Sequence, residues 1–502
     1  MGAHFQPRAA VAVLAALLSA VAPATTPGSP AKRSAAVAAA LAAAPAGETH
    51  LAWVFFTDKA AAGAPGANPA DAPLSPRAAA RRRLRGQVTG VTFEDRPLAA
   101  AHVGSVAGAV QRLRQRSRWL NAVSVEATAD QLAAVEALPF VARIDLVRRY
   151  RRRAEEPVHA DAEPAAGARS PSSPRPRASA FVIDYGLSRG QLAQIGVPAV
   201  HEMGYRGEGV VVAVFDTGFN ALAHEAFSSL RVLAMRDFVN GDDDVDDGAD
   251  QGDGDHGTMT LSVLGGRAEG QLVGPAFAAE FILAKTENTD SETPVEEDNW
   301  AAAAEWAEAL GADVISSSLG YLEYDSPFPS YSFRDMNGLT AISTRAAEMA
   351  AARGVVVVNS AGNAGSNAEH NTLGAPADGA RVLAVAAVDP RGARTEFSSV
   401  GPSADGRVKP DLAAQGASVR VALPRSASRY GFANGTSFSC PLTAGVVALL
   451  LQVNPGASVD DVAGVLKATA SQAGAPDNLL GWGIVNAQAA ATAWTTPAAA
   501  GQ

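Results

Sequence analysis

Phe432-Ala433-Asn434-Gly435-Thr436-Ser437-Phe438-Ser439-Cys440-Pro441 hands a serine to the start of a long apolar segment. Gly435 permits a sharp backbone. Thr436 and Ser437 are good helix-start residues, and Pro441 fits an early helical turn. Leu442 to Val453 is almost continuously apolar, so a helix buried on most sides is predicted there. A serine at its N-terminus sits in the positive end of the helix dipole, beside backbone N–H groups without intrahelical partners. That position suits a nucleophile and the oxyanion it creates. Taken by itself the stretch is a helix cap, and the residues upstream decide between the two readings.

From about Ala180 to 495, strand and helix patterns alternate. Val210 to Phe215 is β-branched and continuously apolar, as in a strand covered on both faces. Phe281 to Ala284, Val314 to Ser316, Val355 to Val358 and Val382 to Val388 repeat that character. Helical segments lie between them: His256 to Leu264, Asn299 to Leu310 closed by Gly311, and Leu339 to Arg353 closed by Gly354. This predicts a doubly wound α/β domain with a mostly parallel sheet, whose sites lie at the carboxyl ends of its strands.

A second, smaller α+β unit is predicted over 48–150. Leu51–Phe56, Trp119–Val125 and Val141–Val147 read as strands. Arg77–Arg85, Val103–Arg116 and Ala129–Leu138 read as helices. Between the units, 151–179 is a linker with three arginines at 151–153 and a Ser-Pro-Ser-Ser-Pro-Arg-Pro run, a composition suited to processing. Residues 25–47, rich in Ala, Pro and Gly, read as a disordered leader. Residues 1–24 read as a signal peptide, with Arg8, an apolar run from Ala9 to Val21, and Ala22-Pro23-Ala24 as the cleavage site.

The whole chain has 502 residues and is 47% apolar, enough for two domains with a large core. No later stretch is expected to approach a membrane span, so the mature protein is expected to be soluble and secreted. Cys440 is the one cysteine, which excludes an internal disulfide, and its place in an apolar helix marks a core residue. Residues 1–178 carry a charge of roughly +10 and the remainder roughly −20. The two parts should attract each other, more strongly at low salt, and the acidic second part argues against nucleic acid as a partner.

Three further features fall at strand ends or helix starts. Asp216 follows the strand Val210–Phe215, His256 opens a helix in Asp255-His256-Gly257-Thr258, and Asn363 follows the strand Val355–Val358 in Ser360-Ala361-Gly362-Asn363. Singly these are an Asp turn, a histidine near a helix end and an Asn/Gly turn. Together with Ser437 they place Asp, His, Ser and an amide donor on one edge of one sheet. Serine needs a base, histidine is that base near neutrality, a buried Asp fixes its tautomer, and an amide N–H meets the tetrahedral oxyanion.

With these residues in hand, the sequence resembles the subtilisin-like serine proteases. The order Asp, His, Ser is the subtilisin order. The matching stretches are Val212 to Gly218, His256-Gly257-Thr258, Ser318-Leu319-Gly320, Ser360 to Asn363, Lys409-Pro410-Asp411 and Asn434 to Ser437. The resemblance implies that Asp216 orients, His256 is the base, Ser437 the nucleophile and Asn363 the oxyanion donor. It also implies that Ser318, Leu319, Gly320, Ser360, Ala361 and Gly362 flank the pocket for the residue before the scissile bond, with Gly374 as its floor. The first unit resembles the family's inhibitory pro-domain, so the partners implied are protein or peptide substrates and the chain's own pro-domain.

The pocket stretches hold no acid, which predicts a preference for large apolar side chains before the cut and a self-cleavage nearer Ala178 to Phe181 than the arginines. Met259-Thr260-Leu261-Ser262 departs from the small residues usual after the histidine, a difference read as touching helix packing more than chemistry. The acidic loop before His256 (Asp242, Asp243, Asp244, Asp246, Asp247, Asp250, Asp253, Asp255) reads first as solvated surface, since no ligand spacing is visible; structural calcium is the second reading. No cofactor is required for the chemistry. Two other functions fit less well. A catalytically silent peptide binder would not need every chemical role filled. An α/β-hydrolase esterase would need a Gly-x-Ser-x-Gly elbow, which is missing around Ser437.

Overall fold

The computed structural model describes residues 32–59, 74–147, 159–160, 183–246, 255–288, 295–322 and 330–495. The expected signal peptide, the arginines at 151–153 and the expected cut near Ala178 to Phe181 lie outside the described residues.

The small unit comprises α1 (Ala35–Ala43), β1 (Thr49–Phe56), α2 (Pro76–Arg85), α3 (Ala100–Ala107), β2 (Arg112–Ser117), β3 (Ala122–Thr128), α4 (Ala129–Glu136) and β4 (Val141–Leu146). Its antiparallel sheet has the order β2-β3-β1-β4. Strand alternation sends Ala52, Val54 and Phe56 to one face, where they pack with Val103, Val106, Leu132 and Val135 of the helices. Leu51, Trp53 and Phe55 go to the other face.

Two expectations are corrected here. Residues 32–47 are not a disordered leader: α1 is helical, its Leu41 joins the small core, Arg33 bridges to Ile144, and Lys32 Nζ donates to the carbonyls of Glu136 and Leu138 at 2.8 and 2.7 Å. A run of alanines has high helix propensity, and a single leucine ties it down. Val103–Arg116 is not one helix. It breaks at Gly108, and Arg112–Ser117 is an edge strand whose Arg114 pairs with Glu126 across the ladder.

The linker is corrected at one point as well. β5 (His159–Ala160) adds an antiparallel strand to the large unit.

The large unit follows with α5 (Arg189–Gln194), α6 (Val197–Glu202), β6 (Val211–Asp216), β7 (Arg231–Asp237), α7 (Asp255–Gly265), β8 (Arg267–Ala268), β9 (Leu272–Val273), β10 (Glu280–Lys285), α8 (Val295–Leu310), β11 (Val314–Ser317), α9 (Ile342–Ala352), β12 (Val356–Ser360), β13 (Val382–Val388), β14 (Leu412–Gln415), β15 (Val419–Ala422), β16 (Tyr430–Ala433), α10 (Thr436–Val453), α11 (Val459–Thr469) and α12 (Ala487–Thr495). Seven parallel strands form one sheet in the order β14-β13-β12-β11-β6-β10-β7. Along β6, Val212 and Val214 join the cluster containing α7 and α10, while Val211, Ala213 and Phe215 join the one containing α8 and α9. Both faces are covered, which is why the strand reads as an unbroken apolar run. The chain leaves β6 towards β7 and, after β10, crosses to β11 on the other side. The order reverses between β6 and β11, the place where such sheets open a crevice at their carboxyl ends.

α10 is the central helix of the first face. It has the length and apolar character of a membrane span, against the expectation above, but nearly all of it is packed inside the large unit. Pro441 is the sixth residue of α10, in its second turn.

The small sheet lies against α8 and α9. Its second face packs on Val295, Ile342 and Met349. Polar contacts run through α8: Trp53 Nε1 donates to Asp298 Oδ1 at 2.5 Å, Ser124 Oγ to Asp298 Oδ2, and Ser117 Oγ to Glu305. Burial pushes the Asp298 carboxyl up to about 8 and that of Glu305 to about 7. At the far end of α8, α2 inserts its arginines. Arg82 grips Glu308 through two bonds of 2.8 and 2.7 Å, Arg81 also pairs with Glu308, and Arg77 and Arg85 share Asp313.

Candidate active site

The functional side chains predicted from sequence gather at the carboxyl edge of the sheet. Asp216 is the last residue of β6 and fully buried. Its Oδ1 accepts from Thr217 N–H at 2.8 Å and faces His256 Nδ1 at 2.5 Å. A carboxylate only accepts, so Nδ1 carries the proton and Nε2 is presented as an acceptor. His256 is the second residue of α7. The next residue has to be glycine, because a Cβ there would lie 2.1 Å from Gly218 O and 3.0 Å from Asp216 Cβ. The missing side chain lets the first turn of α7 close onto the end of β6.

Ser437 is the second residue of α10. The turn before it needs Gly435, whose φ is 150°. The His256 ring centroid lies 5.9 Å from that of Phe438, the residue after Ser437, so the starts of α7 and α10 meet. Cys440 does not compete as a nucleophile: it is buried against the carbonyls of Ser317 and Val358, and burial pushes its thiol up to about 12.

Asn363 Oδ1 accepts from Thr436 N–H at 2.9 Å and from Thr436 Oγ1 at 2.8 Å. A backbone N–H can only donate, so this contact settles which end of the amide is oxygen and turns Nδ2 away from Thr436. Thr436, which sequence reasoning read only as a helix-start residue, thus orients the amide. Its Oγ1 also accepts from Gly362 N at 3.3 Å.

Ser318-Leu319-Gly320 leave β11, while Ser360 ends β12 and leads into Ala361-Gly362. Asn359 Nδ2 and Ser360 Oγ both donate to Leu319 O, at 2.8 and 3.2 Å, and tie the two strips together. Leu319 and Ala361 send their side chains into the core with Leu373 and Ala375. Gly374 lies where the strips approach: its N–H reaches Ala361 O at 3.4 Å, and a Cβ on it would press on Gly320 Cα at 3.2 Å. Tyr321 and Ala375 exchange two 2.9 Å backbone bonds just beyond.

One departure from the expected pattern touches this site after all. Thr260 Oγ1 donates to Asp216 Oδ2 at 2.8 Å, so the segment after the histidine is more than packing. Of the loop acids, Asp242 and Asp244 accept from neighbouring backbone N–H groups and Asp243 pairs with Arg236. Asp247, Asp250 and Asp253 lie outside the described residues. Among the described residues no group of three or more metal-binding side chains converges.

Residues 207–483 match the subtilase family (peptidase S8), and residues 51–161 match the peptidase S8 propeptide domain of Bacteroidota. Subtilisin BL of Lederbergia lenta is 33% identical over 308 residues, which is 61% of this chain and 98% of that protein. An alkaline protease of Shouchella clausii is 33% identical over 308 residues, covering 61% of this chain and 70% of the relative. The structure of fervidolysin from Fervidobacterium pennivorans, described as a keratinolytic enzyme related to subtilisin, aligns with a TM-score of 0.60 at 21% identity, over 89% of this chain and 62% of that one. That last likeness is one of fold. The first match spans more than half of the chain and encloses the candidate site from Asp216 to Ser437. The chain therefore belongs to the subtilase family of serine endopeptidases and carries a propeptide domain ahead of the protease.

Proposed function

We propose that Ser437, His256, Asp216 and Asn363 carry out peptide hydrolysis through an acyl-enzyme. His256 Nε2 takes the Ser437 proton as Oγ attacks the scissile carbonyl. Asp216 holds the ring and stabilises the imidazolium. Asn363 Nδ2 donates to the oxyanion. The imidazolium then protonates the leaving amine, and water, deprotonated by the same ring, releases the acyl group. In each step the acid or base is a protein group. The observation that carries the reading is the 2.5 Å contact of Asp216 with His256, on the sheet edge where the first turn of α10 holds Ser437.

Ser318-Leu319-Gly320 and Ser360-Ala361-Gly362 are the walls of the pocket before the cut, and Gly374 is its floor. Support comes from the cross-ties to Leu319 O and from the absence of acids in these strips. Large apolar side chains before the cut follow. The units are a pro-domain over 48–150, extended by the ordered residues 32–47, and a catalytic domain over 180–495. The linker over 151–179 is the processing region, a reading supported by the pairing of His159–Ala160 with β16, four residues before Ser437. The signal-like residues 1–24 support export.

A fluorophosphonate should label Ser437, and Ser437→Ala should remove both labelling and peptidase activity. Labelling elsewhere, or peptidase activity that survives the substitution, removes Ser437 from the role. Activity should rise as the imidazole loses its proton, so an optimum in strong acid counts against the mechanism. A peptide library tests the pocket, and a preference for Arg or Lys overturns the apolar assignment. Intact mass and N-terminal sequencing of the extracellular form test export and the processing region.

A further inference from the structure

We propose that Thr260 is a positioning residue of the catalytic machinery, holding the Asp216 carboxylate in the plane that aims His256 at Ser437. This rests on the roles proposed above for Asp216 and His256.

Asp216 sits at the end of a strand, with its carboxylate beyond the backbone ladder. Its Oδ1 is held by Thr217 N–H and by the imidazole it orients. Those two bonds share one oxygen, so together they leave rotation about Cβ–Cγ weakly opposed. Thr260 Oγ1 reaches the other oxygen, Oδ2, at 2.8 Å, from one turn further along the helix that carries His256. One helix thus supplies both the ring and a clamp for the group that orients it. Thr260 is buried, so water does not replace its hydroxyl. The same oxygen lies 3.1 Å from Gly257 O, but a hydroxyl has one proton, and the charged acceptor at the shorter distance takes it.

The charged and titratable groups facing this pair are largely committed elsewhere. Lys285, beside Asp216 on β10, pairs with Asp237 at 3.2 Å. Asp255 on α7 pairs with Arg425 at 3.2 Å. Cys440 on α10 is the buried thiol described above. A second donor on Asp216 has two consequences. It restrains the carboxylate, and it draws off part of the charge that would otherwise fall on the imidazolium.

The test is the series Thr260→Val, Thr260→Ser and Thr260→Cys, measured on the mature enzyme, with wild-type enzyme completing any slow processing. Thr260→Val keeps the shape and removes the donor. We expect kcat about tenfold lower with KM within about twofold, because only the transition state needs the aimed imidazole. The acid limb of kcat/KM should move to higher pH, since the imidazolium faces a less neutralised carboxylate. Thr260→Ser should restore both, and Thr260→Cys, a weak donor, should fall between. An unmoved acid limb, or an unchanged kcat, in Thr260→Val makes Thr260 a packing residue and overturns the proposal, whatever happens to Tm. If Thr260→Val does not fold, the comparison of Cys with Ser decides: equal acid limbs overturn it. Asp216→Asn, expected to lose about 10⁴-fold in kcat, separates the two layers of the argument. Full activity in Asp216→Asn removes the reading of Asp216 itself. An inactive Asp216→Asn beside a wild-type-like Thr260→Val removes only the role of Thr260.

Discussion

The carbonyl oxygen of Ser437 accepts a hydrogen bond from Ser318 Oγ at 2.8 Å. In an uninterrupted helix that carbonyl would accept from the N–H four residues on. Here that residue is Pro441, which has no N–H. A proline inside α10 therefore removes the usual helical donor to the Ser437 carbonyl. The strip that leaves β11 supplies a donor in its place, and that strip and the start of α10 are joined.

The first prediction follows from that pair. Ser318→Ala removes the side-chain donor to the buried Ser437 carbonyl and should cost about 1–3 kcal/mol. Pro441→Ala returns the missing N–H, so Ser318→Ala should cost less in that background. A double-mutant cycle on thermal or denaturant unfolding reads the coupling. Additivity within about 0.5 kcal/mol would mean that the two residues act independently.

The second concerns the oxyanion. Asn363→Ala should lower kcat about 100–1,000-fold with little change in KM. Thr436→Val removes one of the two donors that fix Asn363 Oδ1 and should lower kcat by a smaller factor, again at constant KM. A change confined to KM in either variant would move Asn363 from the transition state to ground-state binding.

Much of this was legible in the sequence, for physical reasons that also explain the gaps. β6, β10 and β13 are buried on both faces and read as unbroken apolar runs. β7 sits at the sheet edge with Arg231, Leu233 and Met235 exposed, so it gives no comparable signal. Asp216, His256, Asn363 and Ser437 each lie within two residues of a glycine, near strand ends or helix starts, which made them visible. Thr260 and Thr436 were not, because their partners are 44 and 73 residues away. Only the folded chain brings a plain threonine to a carboxylate or an amide.

The third prediction concerns pH and the propeptide. Burial under the small sheet holds the carboxyls of Asp298 and Glu305 above their ordinary values of 3.8 and 4.5, at about 8 and about 7. Arg114 opposes the shift at Asp298 and Glu297 adds to it; Arg118 opposes it at Glu305. Once the small unit leaves, water favours the charged forms. The complex therefore has its full stability in acid and loses it as pH rises from about 4 towards 8, by up to about tenfold in affinity per pH unit per group. Release of the cleaved propeptide should be faster at pH 8 than at pH 5, and Asp298→Asn should flatten the dependence. Equal release rates at both pH values would show that these carboxyls do not titrate on release.

The last prediction concerns the arginine grip at the opposite end of the sheet from the catalytic groups. Glu308 is fully buried between Arg81 and Arg82, and Arg82 also pairs with Asp95 at 2.7 Å. Taking these charges out of water is costly, and the arrangement holds because each is matched. Glu308→Ala leaves two guanidinium groups short of a partner and should weaken propeptide binding by about 3–5 kcal/mol. Glu308→Gln keeps the volume and should cost less. Adding Arg81→Met to Glu308→Ala removes one stranded charge and should recover part of the loss. The mature enzyme lacks the arginines, so its kcat/KM should change less than twofold in Glu308→Gln, about the size of an ordinary surface substitution. Because the pairs are buried, salt should weaken the grip only modestly, a smaller dependence than net charge alone would give. Propeptide release from the cleaved complex, followed by size exclusion at two salt concentrations, measures all of this. Unchanged release in Glu308→Ala would show that the contacts of the small sheet with α8 and α9 hold the propeptide, and that the arginines of α2 merely accompany them.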